Sequence, residues 1–195
     1  CIRDRQLIDK GDVAAFIFEP IVQGASGMNI YNESTLSELI YYAKKANVIT
    51  IADEVFTGFG RTGTWLAVDH LENKPDILCL SKALTGGFLP LGLTAVSQHI
   101  FDGFYSDEPK HTFLHGHSYT GSPLCCAAAN ASIELMDCED FWKHVNKISV
   151  RMSYNIDKIK TKKKVRAARS KGLVGAVEID ACLLYTSPSP RDRSI

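Results

Sequence analysis

The sequence has no net charge, no long apolar run and no recognisable targeting segment. Its 22 basic and 22 acidic side chains cancel, so charge gives no reason to expect binding to nucleic acid or to an anionic membrane. Its apolar runs fall well short of the roughly 20 residues that a membrane-spanning helix needs. The first residues, CIRDRQLIDKGD, lack the apolar core of a signal peptide. We therefore expect a cytoplasmic protein that binds neither nucleic acid nor membranes.

The cysteines and histidines form no metal-binding motif. The six cysteines contain no CxxC pair, and none is spaced from histidines as zinc ligands are. His115 and His117 lie close together, but no carboxylate or cysteine is suitably spaced to complete a site. Several cysteines fall in apolar runs, where free thiols pack as small hydrophobic groups. We expect no bound metal and a reducing, cytosol-like compartment.

Short apolar runs alternate with segments of helical periodicity. The predicted strands are residues 13–18, 48–52, 77–80, 91–96 and 174–179. Apolar residues recur at helical spacing from Leu36 to Ala43, Thr35 and Glu38 can form a capping box, and Asn47 suits the helix end. The other predicted helices are residues 123–136, opened by a proline, and residues 140–160. This alternation predicts an α/β fold with a mainly parallel sheet flanked by helices.

Residues 58–63, GFGRTG, match the GxGxxG pattern of dinucleotide-binding loops. Their context does not fit that function. The glycines come several residues after the preceding strand, and no clear helix follows whose N-terminus would hold a phosphate. Asp53 and Glu54 also place two carboxylates at the mouth of that strand, where they would repel a pyrophosphate. A nucleotide-binding oxidoreductase is therefore the least favoured function.

Lys82 and Asp53 each follow a predicted strand of the sheet. Because ligands bind along the carboxyl edge of open α/β sheets, both side chains can meet there. We expect Lys82 to be partly desolvated at such a strand end, which makes an amine nucleophilic. Pyridoxal phosphate needs both groups, a lysine for the Schiff base and an aspartate that keeps the pyridine nitrogen protonated. Taken singly, Lys82 fits a surface lysine, and Asp53 fits a helix cap or an ion-pair partner.

Residues 115–123, HGHSYTGSP, place small hydroxyl side chains among glycines ahead of a helix. Hydroxyl and backbone N–H groups in such a loop suit anion binding, so Ser118 or Thr120 is a candidate phosphate ligand. An ordinary loop that caps the next helix explains the same residues equally well.

Four segments together are more specific than any one of them. They are residues 19–24 (EPIVQG), 53–63 (DEVFTGFGRTG), 80–87 (LSKALTGG) and 115–119 (HGHSY). With these segments the chain resembles the class III aminotransferases of fold type I, which depend on pyridoxal phosphate. The resemblance covers residues 4–179.

The resemblance implies roles for individual residues. Lys82 would form the Schiff base with pyridoxal phosphate and, once released, act as the general base. Asp53 would pair with the pyridine nitrogen, and Val55 would lie beneath the cofactor ring. Ser118 stands where the family usually has Thr, a residue that binds the cofactor phosphate from the neighbouring subunit. The family therefore implies a homodimer.

The resemblance also bears on substrates. Arg61 matches an arginine of the substrate region, and Gly116 is assigned to substrate binding as well. Many relatives that use glutamate as the amino donor carry a glutamate residue that pairs with a substrate-binding arginine. Ala25 stands at that position here, so the resemblance favours a different amino donor. We expect the chain to belong to the branch of the family that transfers the amino group of S-adenosylmethionine to 8-amino-7-oxononanoate in biotin synthesis. Other class III enzymes, acting on ornithine, γ-aminobutyrate or β-amino acids, and a non-catalytic α/β module are the alternatives.

Compared with the family, the chain is expected to be an internal segment. The family's phosphate cradle and ring-stacking tyrosine would precede residue 1, and its carboxylate-binding arginine would follow residue 179, so the segment alone is expected to be inactive. Residues 1–137 would belong to the large, cofactor-binding domain and residues 138–180 to the start of the small C-terminal domain. Residues 181–195, with SPSP and two arginines, are predicted to be a disordered, non-native tail.

Overall fold

A computed structural model describes residues 2–180 of the chain. The predicted non-native tail, residues 181–195, lies outside them. The strands are β1 (Ala15–Phe18), β2 (Val22–Gln23), β3 (Asn29–Ile30), β4 (Ile49–Asp53), β5 (Ile77–Leu80), β6 (Leu93–Val96), β7 (Val165–Lys171) and β8 (Val174–Ile179). The α-helices are α1 (Ile2–Ile8), α2 (Glu33–Lys45), α3 (Gln98–Asp102), α4 (Pro123–Met136) and α5 (Glu139–Lys160). Short 3₁₀ helices span Ala67–His70, Lys82–Thr85 and Pro109–His111.

The main sheet has four strands in the order β1, β4, β5, β6. The first three are parallel, and Asp53 of β4 pairs with Cys79 of β5. Strand β6 runs antiparallel to β5, because only a short 3₁₀ helix and turns separate these two strands, with no crossover helix between them. The predicted α/β class with a mainly parallel sheet is confirmed.

Helix α2 packs one face into the core beside the sheet. Leu36 and Ile40 are buried in the cluster that includes Phe18 and Ala52, as their spacing predicted. The predicted capping box was wrong, because the helix begins earlier than expected. Asn32 caps it instead, with Oδ1 accepting hydrogen bonds from the backbone N–H groups of the second and third helical residues.

The C-terminal part consists of α5 packed on an antiparallel hairpin of β7 and β8. Strand β8 has the predicted bounds, whereas β7 was not predicted, because its sequence, VRAARSK, mixes small and charged residues. Only one β7 residue, Ala168, is buried, and the others are half-buried or exposed. Among residues 2–180, no helix is both long and apolar enough to cross a membrane.

The hairpin docks against the GFGRTG segment. The N–H of Leu173 donates to the carbonyl of Arg61 at 2.9 Å. At the hairpin turn, Gly172 is so close that a Cβ atom would lie 2.4 Å from the carbonyl carbon of Thr62. A Cβ on Gly60 would lie 3.6 Å from the Phe141 ring of α5, an ordinary contact, so Gly60 is favoured by its φ of +88. Gly172 is therefore the glycine that close packing between the hairpin and the segment after β4 requires.

Candidate functional site

The structure brings Asp53 and Lys82 to the same edge of the sheet. Asp53 is the last residue of β4, and Lys82 opens the 3₁₀ helix that follows β5. Because β4 and β5 are parallel, with Asp53 opposite Cys79, both residues lie at carboxyl ends of neighbouring strands. This is the edge at which open α/β sheets bind ligands.

Lys82 is exposed, so the expected desolvation of its side chain was wrong. The strand before it is only half-buried, and Lys82 lies in a cleft of about 360 Å³ with Ser81, Gly87 and Phe88 among its lining residues. Its Nζ is 5.7 Å from the centroid of the Phe56 ring, a cation–π contact. Within residues 2–180, it makes no ion pair with Asp53 at 4.0 Å or less.

The backbone of Lys82 has φ +47. This left-handed conformation is uncommon for a residue with a side chain, and such strain is found preferentially at functional sites. The glycines that follow, Gly86 and Gly87, also have positive φ, which suits a tight turn. A Cβ on Gly87 would have nothing within 4 Å, and one on Gly86 would lie 3.6 Å from Ser132 Oγ, an ordinary contact. Both glycines therefore serve the turn and not a close approach.

Asp53 is half-buried at the end of β4. Its Oδ1 accepts a hydrogen bond from the N–H of Val55 at 3.0 Å, which fixes the orientation of the carboxylate. Burial, reinforced by the charge of Asp53, raises the pKa of the Cys79 thiol above its ordinary value. The thiol beside this carboxylate is therefore kept in its neutral form.

Glu54 has a different role from Asp53. The prediction that both carboxylates lie at the mouth of the strand was wrong for Glu54, whose side chain is fully buried. It accepts hydrogen bonds from the hydroxyl of Thr57 at 2.5 Å and from the N–H groups of Ala67 and Val68 at 3.0 and 2.7 Å. Burial raises the pKa of Glu54, although these hydrogen bonds oppose the increase. Glu54 therefore fastens the 3₁₀ helix Ala67–His70 to the end of β4.

The loop of residues 115–123 is largely exposed. Within it, the N–H of His117 donates to Thr120 Oγ1 at 3.0 Å, and the N–H of Tyr119 donates to His117 Nδ1 at 3.2 Å. The loop borders a cleft of about 660 Å³, lined by Ser81, Pro90, Leu91, Gly92, His117, Tyr119, Thr120, Gly121, Ser122 and Cys125. The two clefts share Ser81, Pro90 and Leu91, so the loop and Lys82 border adjoining spaces.

Five predicted site residues line neither cleft, namely Asp53, Val55, Arg61, Gly116 and Ser118. Asp53 and Val55 are half-buried, whereas the other three are exposed. The carbonyl of Arg61 accepts the hydrogen bond from the hairpin. Among residues 2–180, no group of three or more His, Cys, Asp or Glu side chains is placed to hold a metal ion.

The loop of residues 24–28 lies near Phe56, the ring that Lys82 contacts. The sequence did not predict the residues that hold this loop in place. The N–H of Gly24 donates to the Glu19 carboxylate, with both oxygens at 3.1 Å. A Cβ on Gly24 would lie 3.1 Å from Cδ1 of Phe56, the ring that Lys82 contacts. The other end is held by Arg169 of β7, which donates to the carbonyls of Gly27 and Met28. The Glu-Pro pair that ends β1 was the available signal for Glu19, whereas no local pattern indicates Arg169.

Comparison with known proteins places the chain in a family. The family model of class-III aminotransferases matches residues 2–183. The adenosylmethionine-8-amino-7-oxononanoate aminotransferase of Synechococcus elongatus is 54% identical over 131 residues, which cover 67% of this chain and 31% of that protein. The protein of the same name from Staphylococcus aureus is 39% identical over 175 residues, which cover 89% of this chain and 39% of that protein. The chain thus spans between 31% and 39% of the length of these two curated relatives.

Solved structures agree with this assignment. The adenosylmethionine-8-amino-7-oxononanoate aminotransferase of Methanocaldococcus jannaschii superimposes with a TM-score of 0.84 at 35% identity, covering 90% of this chain and 42% of that one. The ornithine aminotransferase of Toxoplasma gondii superimposes with a TM-score of 0.80 at 30% identity, covering 91% of this chain and 41% of that one. The resemblance deduced from the four sequence segments is confirmed. The family match across nearly all described residues, together with the lysine and aspartate at one sheet edge, shows that this chain belongs to the class-III aminotransferases.

Proposed function

We propose that the protein containing this chain is a pyridoxal-phosphate-dependent aminotransferase. In this proposal, it transfers the amino group of S-adenosylmethionine to 8-amino-7-oxononanoate, a step of biotin synthesis. The observation that carries the proposal is the placement of Lys82 and Asp53 at the carboxyl ends of neighbouring parallel strands. The substrates are inferred from the names of the Synechococcus, Staphylococcus and Methanocaldococcus relatives.

The residues present fit the chemical needs of pyridoxal phosphate. The Nζ of Lys82 is exposed and, within the described part of the chain, makes no ion pair. The carboxylate of Asp53 is oriented through one oxygen by Val55. The loop beside the adjoining cleft offers the hydroxyl and N–H groups that a phosphate requires. When bound, the cofactor supplies an aldehyde for the amine and an electron-withdrawing ring.

In this proposal, each residue has a defined task. The amine of Lys82 would hold the cofactor covalently and, when free, would accept the proton removed from the substrate Cα. Asp53 would pair with the ring nitrogen and keep it protonated, and Val55 would contact the ring. Ser118, exposed on the loop of residues 115–123, would bind the cofactor phosphate of the neighbouring subunit, as the family resemblance implies, and the active form would then be a homodimer.

The remaining assignments extend the same proposal. Arg61 and Gly116 would bind substrate, both being exposed to the solvent. Residues 1–137 would form part of the cofactor-binding domain, and residues 138–180 would begin the small domain. The working compartment would be the cytoplasm.

The test of the function uses the full-length protein, purified and dialysed after loading with pyridoxal phosphate. We expect the wild type to keep the cofactor's absorbance, and borohydride reduction followed by peptide mass spectrometry to find the cofactor on Lys82. A Lys82→Met variant should lose both signals, whereas the matched control Lys147→Met, which alters an exposed residue of α5, should keep them. Reduction onto another lysine would refute the assignment of Lys82.

A second measurement separates the substrates. We expect turnover of 8-amino-7-oxononanoate with S-adenosylmethionine, and little or none with ornithine. Asp53→Asn keeps an acceptor for the N–H of Val55 but carries no charge, so turnover should fall by about 100-fold or more. Efficient use of ornithine would refute the proposed substrates, while leaving the aminotransferase assignment intact.

A further inference from the structure

We propose that Arg169 is a positioning residue that holds the loop of residues 24–28 in the shape needed to bind the amino donor. This inference rests on the proposed function. Arg169 lies on β7, in the hairpin, and not on any element of the sheet edge that carries Asp53 and Lys82. Its effect on the donor would therefore be exerted through the loop alone.

Arg169 uses all three nitrogens of its guanidinium group. Its Nε donates to the carbonyl of Met28 at 2.7 Å, and one Nη donates to the carbonyl of Gly27. The other Nη pairs with Glu178 Oε1 on β8 at 2.6 Å. The side chain is largely buried, with 21% of its surface exposed. Glu178 thus orients a planar donor group whose other two nitrogens fix two successive carbonyls.

The loop has a backbone that needs such support. Gly27 and Met28 have φ values of +80 and +55. A left-handed conformation is sterically unfavourable for a residue with a Cβ, such as methionine. Nothing lies within 4 Å of a Cβ on Gly27, so Gly27 itself has no packing contact that would hold the turn. Met28 is partly buried against the core, and Asn29 Nδ2 donates to the carbonyl of Ser26 at 2.6 Å. The two hydrogen bonds from Arg169 add the link that ties the carbonyls of Gly27 and Met28 to the hairpin.

The restrained loop is connected to the candidate site at its other end. Gly24 contacts the Phe56 ring and is bonded to the Glu19 carboxylate, and Lys82 Nζ lies over the same ring. Ala25, the position that bears on donor choice, is exposed between these two anchors. A change in the path of residues 25–28 would therefore move Ala25, whereas Gly24 stays bonded to Glu19 and Lys82 lies on a separate element.

Arginine is required at this position for its geometry. A lysine would keep one positive charge for Glu178 but has a single nitrogen, which cannot bond both carbonyls and the carboxylate at once. Removal of Arg169 should still leave the hairpin docked. Lys171 of the same strand pairs with Glu33 at 2.5 Å, and the contact of Gly172 with Thr62 is independent of Arg169.

The test compares the loaded full-length wild type with Arg169→Met, Arg169→Lys and the control Arg166→Met, which alters an exposed residue of the same strand. If the loop keeps its shape only about a tenth of the time without Arg169, the KM for the donor rises about tenfold. We expect that rise in both Arg169 variants, with kcat within about twofold of wild type and cofactor absorbance unchanged. Amide hydrogen exchange at residues 27–29 should accelerate in both variants and not in the control.

Two results would overturn the inference. One is a donor KM in Arg169→Met equal to that of the control, with unchanged exchange at residues 27–29. The other is full rescue by Arg169→Lys, which would show that charge alone is needed. Failure of the proposed function would look different, because the wild type itself would then hold no cofactor and show no turnover.

Discussion

Replacement of Gly172 by alanine tests the docking of the hairpin on the GFGRTG segment. The added Cβ would lie 2.4 Å from the carbonyl carbon of Thr62, 2.6 Å from the carbonyl oxygen of Arg61 and 2.7 Å from the nitrogen of Gly63. All three are backbone atoms, so no side chain can rotate away to make room. The substitution must therefore push the hairpin off the segment or distort both.

The expected loss of stability in Gly172→Ala is the sum of two separable costs. Gly172 has φ +57, and the left-handed conformation costs an alanine about 1–2 kcal/mol. The overlap with backbone adds about 1–3 kcal/mol, as overpacking of a filled site does. Gly11 is the matched control, because it has φ +75 and nothing within 4 Å of a Cβ. We expect Gly172→Ala to cost more than Gly11→Ala by about 1–3 kcal/mol, the overlap alone.

The assay is urea unfolding followed by tryptophan fluorescence. The chain has two tryptophans, and both lie near this contact, Trp65 after the GFGRTG segment and Trp142 on α5, with ring centroids 5.1 Å apart. Native fluorescence should change in Gly172→Ala and stay unchanged in Gly11→Ala. Equal losses of stability in the two variants, with unchanged native fluorescence, would show that the close approach at Gly172 does not exist.

Two further predictions concern buried and terminal polar groups. Burial raises the pKa of Glu54 above its ordinary value of 4.5, so the folded state favours the protonated acid. The stability that this preference contributes is fully present below about pH 4.5 and is lost as the pH rises through the raised pKa. Denaturation repeated from pH 4.5 to about pH 8 should therefore show the free energy of unfolding of the wild type falling relative to that of Glu54→Gln. A difference between the two free energies that stays constant with pH would contradict this. Asn32→Ala should destabilise the protein by about 1 kcal/mol through loss of the cap on α2, measured by thermal or urea unfolding, while Asn32→Ser should restore most of the loss.

The sequence predicted those elements whose signals are local. The bounds of β5, β8 and α4 agree with prediction, because an abrupt end of an apolar run and a proline at the first helical position act within a few residues. Asn47, predicted to suit the end of α2, has φ +57 just after the helix, a conformation that asparagine tolerates. The shared edge of Asp53 and Lys82 follows from parallel pairing, which the succession of continuous apolar runs and helical segments indicates.

Other features depend on residues distant in sequence. Whether Lys82 is covered depends on what packs over the end of β5, and the preceding strand offers no information about that. Glu54 and Asp53 are neighbours with the same chemistry, but the backbone donors that draw Glu54 into the core belong to residues 67 and 68. Strand β7 is mostly half-buried, and its sequence mixes small and charged residues instead of forming an apolar run, so its signal resembles that of a loop.

The contact of Arg169 with Met28 joins residues 141 positions apart in sequence. Long-range contacts of this kind are slow to form, because the loop-closure entropy must be overcome before the contact contributes any stability. During synthesis, the 24–28 loop leaves the ribosome long before β7 exists. We expect this loop to be among the last parts of the chain to reach its final shape, after the parallel sheet of β1, β4 and β5 has formed. The surface on which donor choice is proposed to depend would then be completed only when the hairpin docks.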